Sequence, residues 1–356
     1  MSADSLATLT HQVLWSTFFL SAIFGFAAQR SHFCTMGAVS DIVNIQDWTR
    51  MHMWATAVAV AMLGFAGLSY MGSIDPNKAL YASPKVLWLS TLVGGLMFGF
   101  GMVLASGCAN KTLLRISSGS LKSLVVFIVM GVAAFATLKG ITAVLRVNTV
   151  DLFSFTSPTL SVAMRIILSI VIGVALFLWA IRNPQMQSIS ALLPSVVIGA
   201  VIVSIWYVSG KLGYVQEHPD TLQEAFLTTN SGRMESLSFV APIAYVIDWL
   251  MLFSDKSKVL TLGMASVFGV VMGGFLEARV SKTFRWEGFG SIEDLANHLG
   301  GAVLMGVGGV TAMGCTIGQG LSGVSTLALG SFIALAGIVI GAILAFKYQI
   351  WRLDRV

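Results

Sequence analysis

Long apolar runs separated by short polar interruptions dominate this chain, and runs of this length predict helices that cross a bilayer. They fall at Val13 to Ala28, Met51 to Gly72, Val86 to Gly107, Ser123 to Leu138, Leu160 to Ile181, Ala191 to Val208, Phe239 to Phe253, Val259 to Ala278, Leu295 to Met313 and Val324 to Phe346. A crossing needs about 20 apolar residues, so the shorter runs, and the apolar pieces directly after Cys34 and Cys108, read as re-entrant or broken helices. Irregular backbone at membrane depth is tolerated only where it is buried in protein or lines a polar cavity. The expected fold is therefore all-α: a polytopic membrane protein of about nine transmembrane helices plus short re-entrant helices.

One interval breaks the apolar rhythm. Residues 211–238 carry Glu217, His218, Pro219, Asp220, Glu224, Arg233 and Glu235, and such a stretch cannot span. It is expected to connect a first half, 1–210, to a second half, 239–356, within one membrane domain.

An internal repeat supports two halves. GGLMFGFGMVLASGC (94–108) matches GAVLMGVGGVTAMGC (301–315) without a gap, pairing Gly94 with Gly301, Gly101 with Gly308, Gly107 with Gly314 and Cys108 with Cys315. Upstream, GFAAQRSHF (25–33) resembles GFLEARVSKTF (274–284), which pairs Arg30 with Arg279 and sets Arg285 where the first copy has Cys34. The Met51 to Gly72 run has no counterpart in the second copy. One extra crossing between equivalent segments makes the two Gly-Cys segments enter from opposite faces, the arrangement of transporters built from inverted halves. On that argument Cys108 is approached from outside and Cys315 from inside.

Composition agrees with the pattern. The chain has 356 residues, of which 56% are hydrophobic and 10% charged. Its net charge of +5 is carried by Lys and Arg that lie mostly at the ends of apolar runs, where they set topology, so nucleic acid is not expected as a partner. No basic residue precedes the first apolar run and Arg30 follows it, whereas Lys347, Arg352 and Arg355 follow the last. These flanks predict an outside N-terminus and a cytoplasmic C-terminus.

The chemistry concentrates at the breaks. Each of the three cysteines, Cys34, Cys108 and Cys315, sits in a run of glycine and small polar residues, and no CxxC pair suggests a disulfide. A lone membrane cysteine usually fills space, but three at polar breaks, two of them repeat mates, point to sulfur chemistry. Helix breaks at depth expose N–H groups and the positive end of a helix dipole to an anion. Ser106, Asn110, Thr112, Thr316 and Gln319 add neutral hydrogen-bonding groups, Gly107 and Gly314 leave room beside the thiols, and a thiol adds a weak donor with a polarizable surface. That set suits a soft sulfur-bearing anion. No metal-ligand spacing and no nucleotide-binding loop is visible, so no cofactor, no metal and no enzymatic activity is expected. Arg30 and Arg279 read as helix-end anchors, and Arg279 is the simple local partner for Glu277.

QRSHFCTMGAVSD (29–41), GGLMFGFGMVLASGCANKTLLR (94–115), GGFLEARVSKTFR (273–285) and GGAVLMGVGGVTAMGCTIGQGLSG (300–323) together resemble the YeeE/YedE family of bacterial inner-membrane sulfur transporters. The resemblance implies an hourglass-like fold of pseudo-symmetric halves and uptake of thiosulfate or a related sulfur anion. It also implies a path on which Cys34, Cys108 and Cys315 hand the anion onward through S–H contacts, and a small TusA-like sulfur-carrier protein at the cytoplasmic face. The chain departs from the family pattern at Ser31-His32 and at Lys111, where a small residue is usual; Lys111 adds an anion-attracting charge. Three alternatives stay open at this point: a soft-metal permease, a selenium-compound permease, and a membrane thiol-redox protein.

Overall fold

The structure, a computed structural model, describes residues 3–157, 161–219 and 221–354; Leu160, Asp220 and Arg355 lie outside the described residues. The chain folds as an all-α polytopic membrane protein. Its helices are α1 (Ala3–Arg30), α2 (Thr35–Ile45), α3 (Thr49–Tyr70), α4 (Trp88–Leu104), α5 (Ala109–Ser117), α6 (Leu121–Lys139) and α7 (Ile141–Asn148). They continue with α8 (Val162–Ile181), α9 (Ile189–Tyr207), α10 (Val240–Met251), α11 (Leu262–Val280), α12 (Ile292–Thr311) and α13 (Leu329–Leu353). Among the described residues, eight helical segments are long and apolar enough to cross a membrane, two of them the broken helices Asp4–Ile45 and Trp88–Ser117. Beyond these eight, α12 is 20 residues long with Glu293 and Asp294 in its first turn.

The expected span at Phe239 to Phe253 is not formed. α10 has 12 residues, about 18 Å at 1.5 Å per residue, and the chain breaks after it at Leu252. The polar interval 211–238 holds a short hairpin, Tyr214–Val215 against Ala225–Phe226, and folds back so that Met234 bonds to Leu80.

Glycine contacts fix the helix directions. Gly94 of α4 lies against Gly308, Thr311 and Ala312, and Gly101 lies against Gly301 and Met305, so α4 and α12 run antiparallel. In the sequence repeat Gly94 corresponds to Gly301 and Gly101 to Gly308. The contacts Gly94 with Gly308 and Gly101 with Gly301 are therefore mates under a pseudo-two-fold axis, as a self-complementary interface requires. A Cβ on Gly308 would come within 2.5 Å of the Phe98 amide nitrogen, so the close approach depends on glycine. α1 and α11, by contrast, run parallel, with Phe18 against Gly269, Ala22 against Gly273, and Arg30 paired with Glu277 at 3.9 Å. α13 runs parallel to α4, with Gly95 against Ala334 and the Phe100 ring 5.8 Å from that of Tyr348.

These directions give the bundle two faces. At one, called here the N face, α1 begins, α3 ends and α4 begins: Val13 lies beside Gly213, and Ile74 beside Gly210. At the other, the C face, α1 and α11 end, α12 begins and α13 ends, with Arg352 bonded to Glu293 at 2.5 Å. The described chain thus starts and finishes at opposite faces.

Candidate functional site

Four helix ends share one backbone device. His32, Ser106, Lys282 and Met313 all have positive φ, at 52°, 55°, 57° and 58°, although none is glycine. In each case that residue's N–H bonds three residues back, and the next N–H bonds five residues back: Phe33 to Ala28 at 3.0 Å, Gly107 to Met102 at 2.8 Å, Thr283 to Ala278 at 3.0 Å and Gly314 to Gly309 at 2.8 Å. This is the Schellman stop, which satisfies the last helix carbonyls while turning the chain. Two stops lie in each copy of the repeat. Three of the four are followed, two residues later, by a cysteine.

Each cysteine begins the next segment. Cys34 caps α2, its sulfur accepting a bond from the Gly37 N–H at 3.5 Å, and Cys315 accepts one in the same way from Gly318 at 3.5 Å. A thiol that accepts from the backbone keeps its own proton free to donate. Cys108 stands at the start of α5 with the Lys111 N–H near its sulfur but no capping bond as close as those. Its thiol instead lies beside the thiol of Cys34 and the hydroxyl of Thr316. All three are free thiols and buried.

The polar atoms around them lack partners. Thr35 Oγ1, both amide atoms of Asn110 and Gln319 Oε1 are buried without a hydrogen bond, and Thr316 Oγ1 meets no group but the Cys108 thiol among the described residues, although Gln319 Nε2 donates to the Ala312 carbonyl at 2.5 Å. Buried polar groups are nearly always paired, so unpartnered groups beside every one of the three thiols mark a place prepared for a ligand. Thr112, expected to offer its hydroxyl, instead spends it on the Cys108 carbonyl at 3.1 Å.

Cavities flank this cluster. At the N face a space of about 380 Å³ is lined by Tyr81, Lys85, Arg165, Met313, Gln319 and Ser331, and one of about 340 Å³ by Ser90, Arg146, Glu235, Tyr245, Met313 and Gly314. Burial pushes the Tyr81 phenol well above its usual range, so its hydroxyl, close to Gly318, stays a neutral donor. At the C face about 370 Å³ is lined by Arg30, His32, Arg115, Ser118, Glu277 and Arg285. Among the described residues no group of three or more His, Cys, Asp or Glu side chains is placed to hold a metal ion.

The geometry differs from the sequence reading in two respects and adds one placement that the sequence left open. α4 and α12 do start from opposite faces, but each runs past the middle before it stops, so the thiols are crossed: Cys108 lies toward the C face and Cys315 toward the N face. Cys34, which has no repeat mate, joins Cys108 because α1 ends at the C face. Glu277 pairs with Arg30, while Arg279 stacks on the rings of Phe275 and Phe284 at 5.0 and 4.7 Å. Of the remaining expected site residues, Ser106 forms the α4 stop, Gly107 accommodates the stem of Lys111, and Gly314 packs on Gln319. Thr35, Tyr81 and Arg165 escaped notice. Thr35 had a usable signal, since it follows Cys34 as Thr316 follows Cys315.

A family model described as sulphur transport matches residues 30–344, which contain all three thiols and all four stops. The chain belongs to the sulphur transport family. Family relatives include the thiosulfate transporter TsuA of Escherichia coli strain K12, 28% identical over 90% of both chains. The protein of the same name from Spirochaeta thermophila is 27% identical over 92% of this chain and 97% of its own. A probable transporter, YedE of Escherichia coli strain K12, is 34% identical over 27% of this chain and 22% of its own. The two full-length matches extend across both copies of the repeat and the polar interval between them.

Proposed function

We propose that this chain carries thiosulfate, or a closely related sulfur anion, inward across the bacterial inner membrane, passing it between cysteine thiols. The observation that carries the reading is the cluster of three buried thiols with unpartnered Thr35 and Asn110 beside them, set between cavities at the two faces. An anion from the N-face cavities meets Tyr81 and the Cys315 thiol first, passes Thr316, and reaches the Cys108 and Cys34 pair. It leaves past His32 and Arg115. At each station an S–H donates to the anion, and no bond to sulfur forms or breaks. Asn110, Thr316 and Gln319 replace part of the water the anion gives up. The resemblance to transporters that carry thiosulfate in their names supports the choice of substrate.

On this reading the eight long apolar helices and α12 make nine crossings, which places the termini on opposite sides. Arg182, Lys282, Arg285 and Arg352, beside turns at the C face, support a cytoplasmic C-terminus and an outside N-terminus. The halves 1–210 and 239–356, joined by 211–238, correspond to the two copies of the repeat within one membrane domain. A small TusA-like sulfur carrier would dock at the C-face cavity, whose arginines suit an anionic cargo.

The test is uptake of radiolabelled thiosulfate by cells without other sulfur-anion uptake, comparing the wild type with Cys34→Ala, Cys108→Ala and Cys315→Ala at matched membrane abundance. Cys108→Ala is expected to abolish uptake. Full uptake by that variant would sink the thiol relay, and no uptake by the wild type would sink the substrate assignment.

A further inference from the structure

Lys111 is the least explained charge in the molecule. It sits in the first turn of α5, at the positive end of that helix's dipole, where a cation is unfavourable. Among the described residues no carboxylate pairs with it; the cations that bear on it are Arg115 and Arg50, and Arg50 is already bonded to Asp41 at 3.2 Å. Lysines near helix ends ordinarily reach out to the membrane surface. The Lys111 stem starts the other way, and the residue is half-buried. Side chains lean toward the N-terminus of their own helix, and the N-terminus of α5 is its deep end. The Lys111 stem accordingly folds onto Gly107, where a Cβ would lie 3.2 Å from its Cγ, beside the thiols of Cys34 and Cys108. Next to it, Asn110 is fully buried with both amide atoms unpartnered. An unpaired cation and an unpaired amide at one helix start lack a single component, an anion that answers both.

We propose that Lys111 is the charge filter of the path, holding an anion against the first turn of α5 and selecting divalent over monovalent sulfur anions. This rests on the transport reading above. The thiols recognise softness, which thiosulfate shares with monovalent thiocyanate, and Lys111 adds the discrimination by charge that thiols lack. Electrostatic energy scales with the product of the charges. A substitution that raises the KM of a dianion about tenfold should therefore raise the inhibition constant of a monoanion by only about threefold.

The experiment measures thiosulfate KM and turnover, and half-inhibition by thiocyanate, in membrane vesicles holding the wild type, Lys111→Met or Lys111→Arg. Wild-type uptake is expected to require at least tenfold more thiocyanate than unlabelled thiosulfate for half-inhibition. Lys111→Met should raise KM about tenfold and narrow that ratio about threefold, and Lys111→Arg should stay within about threefold of the wild type on both. The proposal is overturned if thiocyanate and thiosulfate inhibit the wild type equally, a result that needs no variant to fold. It is also overturned if Lys111→Met leaves KM within twofold of the wild type, or if both variants lose turnover alike with KM unchanged. Absence of thiosulfate uptake by the wild type would instead bring down the transport reading, and this proposal with it.

Discussion

Replacing Asn110 by leucine should make the protein more stable and less able to transport. The side chain is fully buried, and neither its nitrogen nor its oxygen has a partner. A buried polar group left unpaired costs about 1–3 kcal/mol, and here two such atoms share one side chain with the branching of leucine but a smaller volume. Asn110→Leu removes both penalties, about 2–6 kcal/mol together, against about 1–3 kcal/mol for packing the larger side chain, so the ligand-free protein should gain about 1–3 kcal/mol. The same change deletes the amide that would meet the anion, so uptake should fall at least tenfold. The assay is the thermal unfolding of protein held in nanodiscs, with and without thiosulfate, alongside uptake. A ligand present at a hundredfold its dissociation constant stabilises by about 2.7 kcal/mol. The wild type should gain on that scale, and Asn110→Leu should start higher and gain less than half as much. A lower melting point for the ligand-free variant would mean that the unpaired amide costs less than the overpacking, against the reading that it waits for a ligand. A more stable variant with undiminished uptake would place Asn110 off the path.

Two further outcomes test the fold and its loops. Gly308→Ala sets a Cβ 2.5 Å from the Phe98 amide nitrogen and 2.7 Å from the Gly94 carbonyl, so it should destabilise by about 1–3 kcal/mol or more. Gly300→Ala meets nothing within 4 Å and should be neutral or gain up to about 1 kcal/mol; equal melting points for the two would refute the close crossing of α4 and α12. Burial pushes the Glu235 acid above its ordinary value, so its contribution to stability is present at low pH and is lost as pH rises through the folded value. Glu235→Gln, which keeps an acceptor for the Ser231 N–H at 2.8 Å, should match the wild type near pH 4 and exceed it increasingly above about pH 5. A stability gap that does not change with pH would contradict this.

What could be read in the sequence was what the backbone requires in both copies. Glycines at 94, 101, 301 and 308 are fixed by the α4 and α12 crossing, so they recur at matching positions and reveal the repeat. Opposed directions followed from one unpaired apolar run, because counting crossings needs no side-chain detail. The depth at which each helix stops was not legible. It depends on where Ser106 and Met313 adopt positive φ, and neither residue is the glycine that would announce such a turn. The meeting of Cys34 with Cys108 was hidden for a related reason: it follows from α1 lying parallel to α11, a tertiary choice with no local signature. Glu277 was assigned to Arg279 by nearness in sequence. In the fold, the parallel pairing of α1 and α11 brings Arg30 to it, and two aromatic rings take Arg279.

The pseudo-two-fold axis relates Cys108 to Cys315 and leaves Cys34 over, so the two sides of the constriction are chemically unequal. On the N-face side one thiol waits; on the C-face side two thiols and Lys111 converge. A deeper well on one side cannot drive net movement, because the same contacts that speed capture slow release. It lowers the concentration needed for loading and lengthens residence. Cys34 should therefore act as an affinity residue and Cys108, which faces both Cys34 and Thr316, as an obligatory step. Cys34→Ala is expected to raise KM by about tenfold with turnover unchanged or faster, whereas Cys108→Ala loses turnover itself. The measurement is initial rates of thiosulfate uptake across a concentration series in vesicles. If Cys34→Ala loses turnover as completely as Cys108→Ala, the unpaired cysteine is an equal member of the relay, and the asymmetry it introduces has no bearing on affinity.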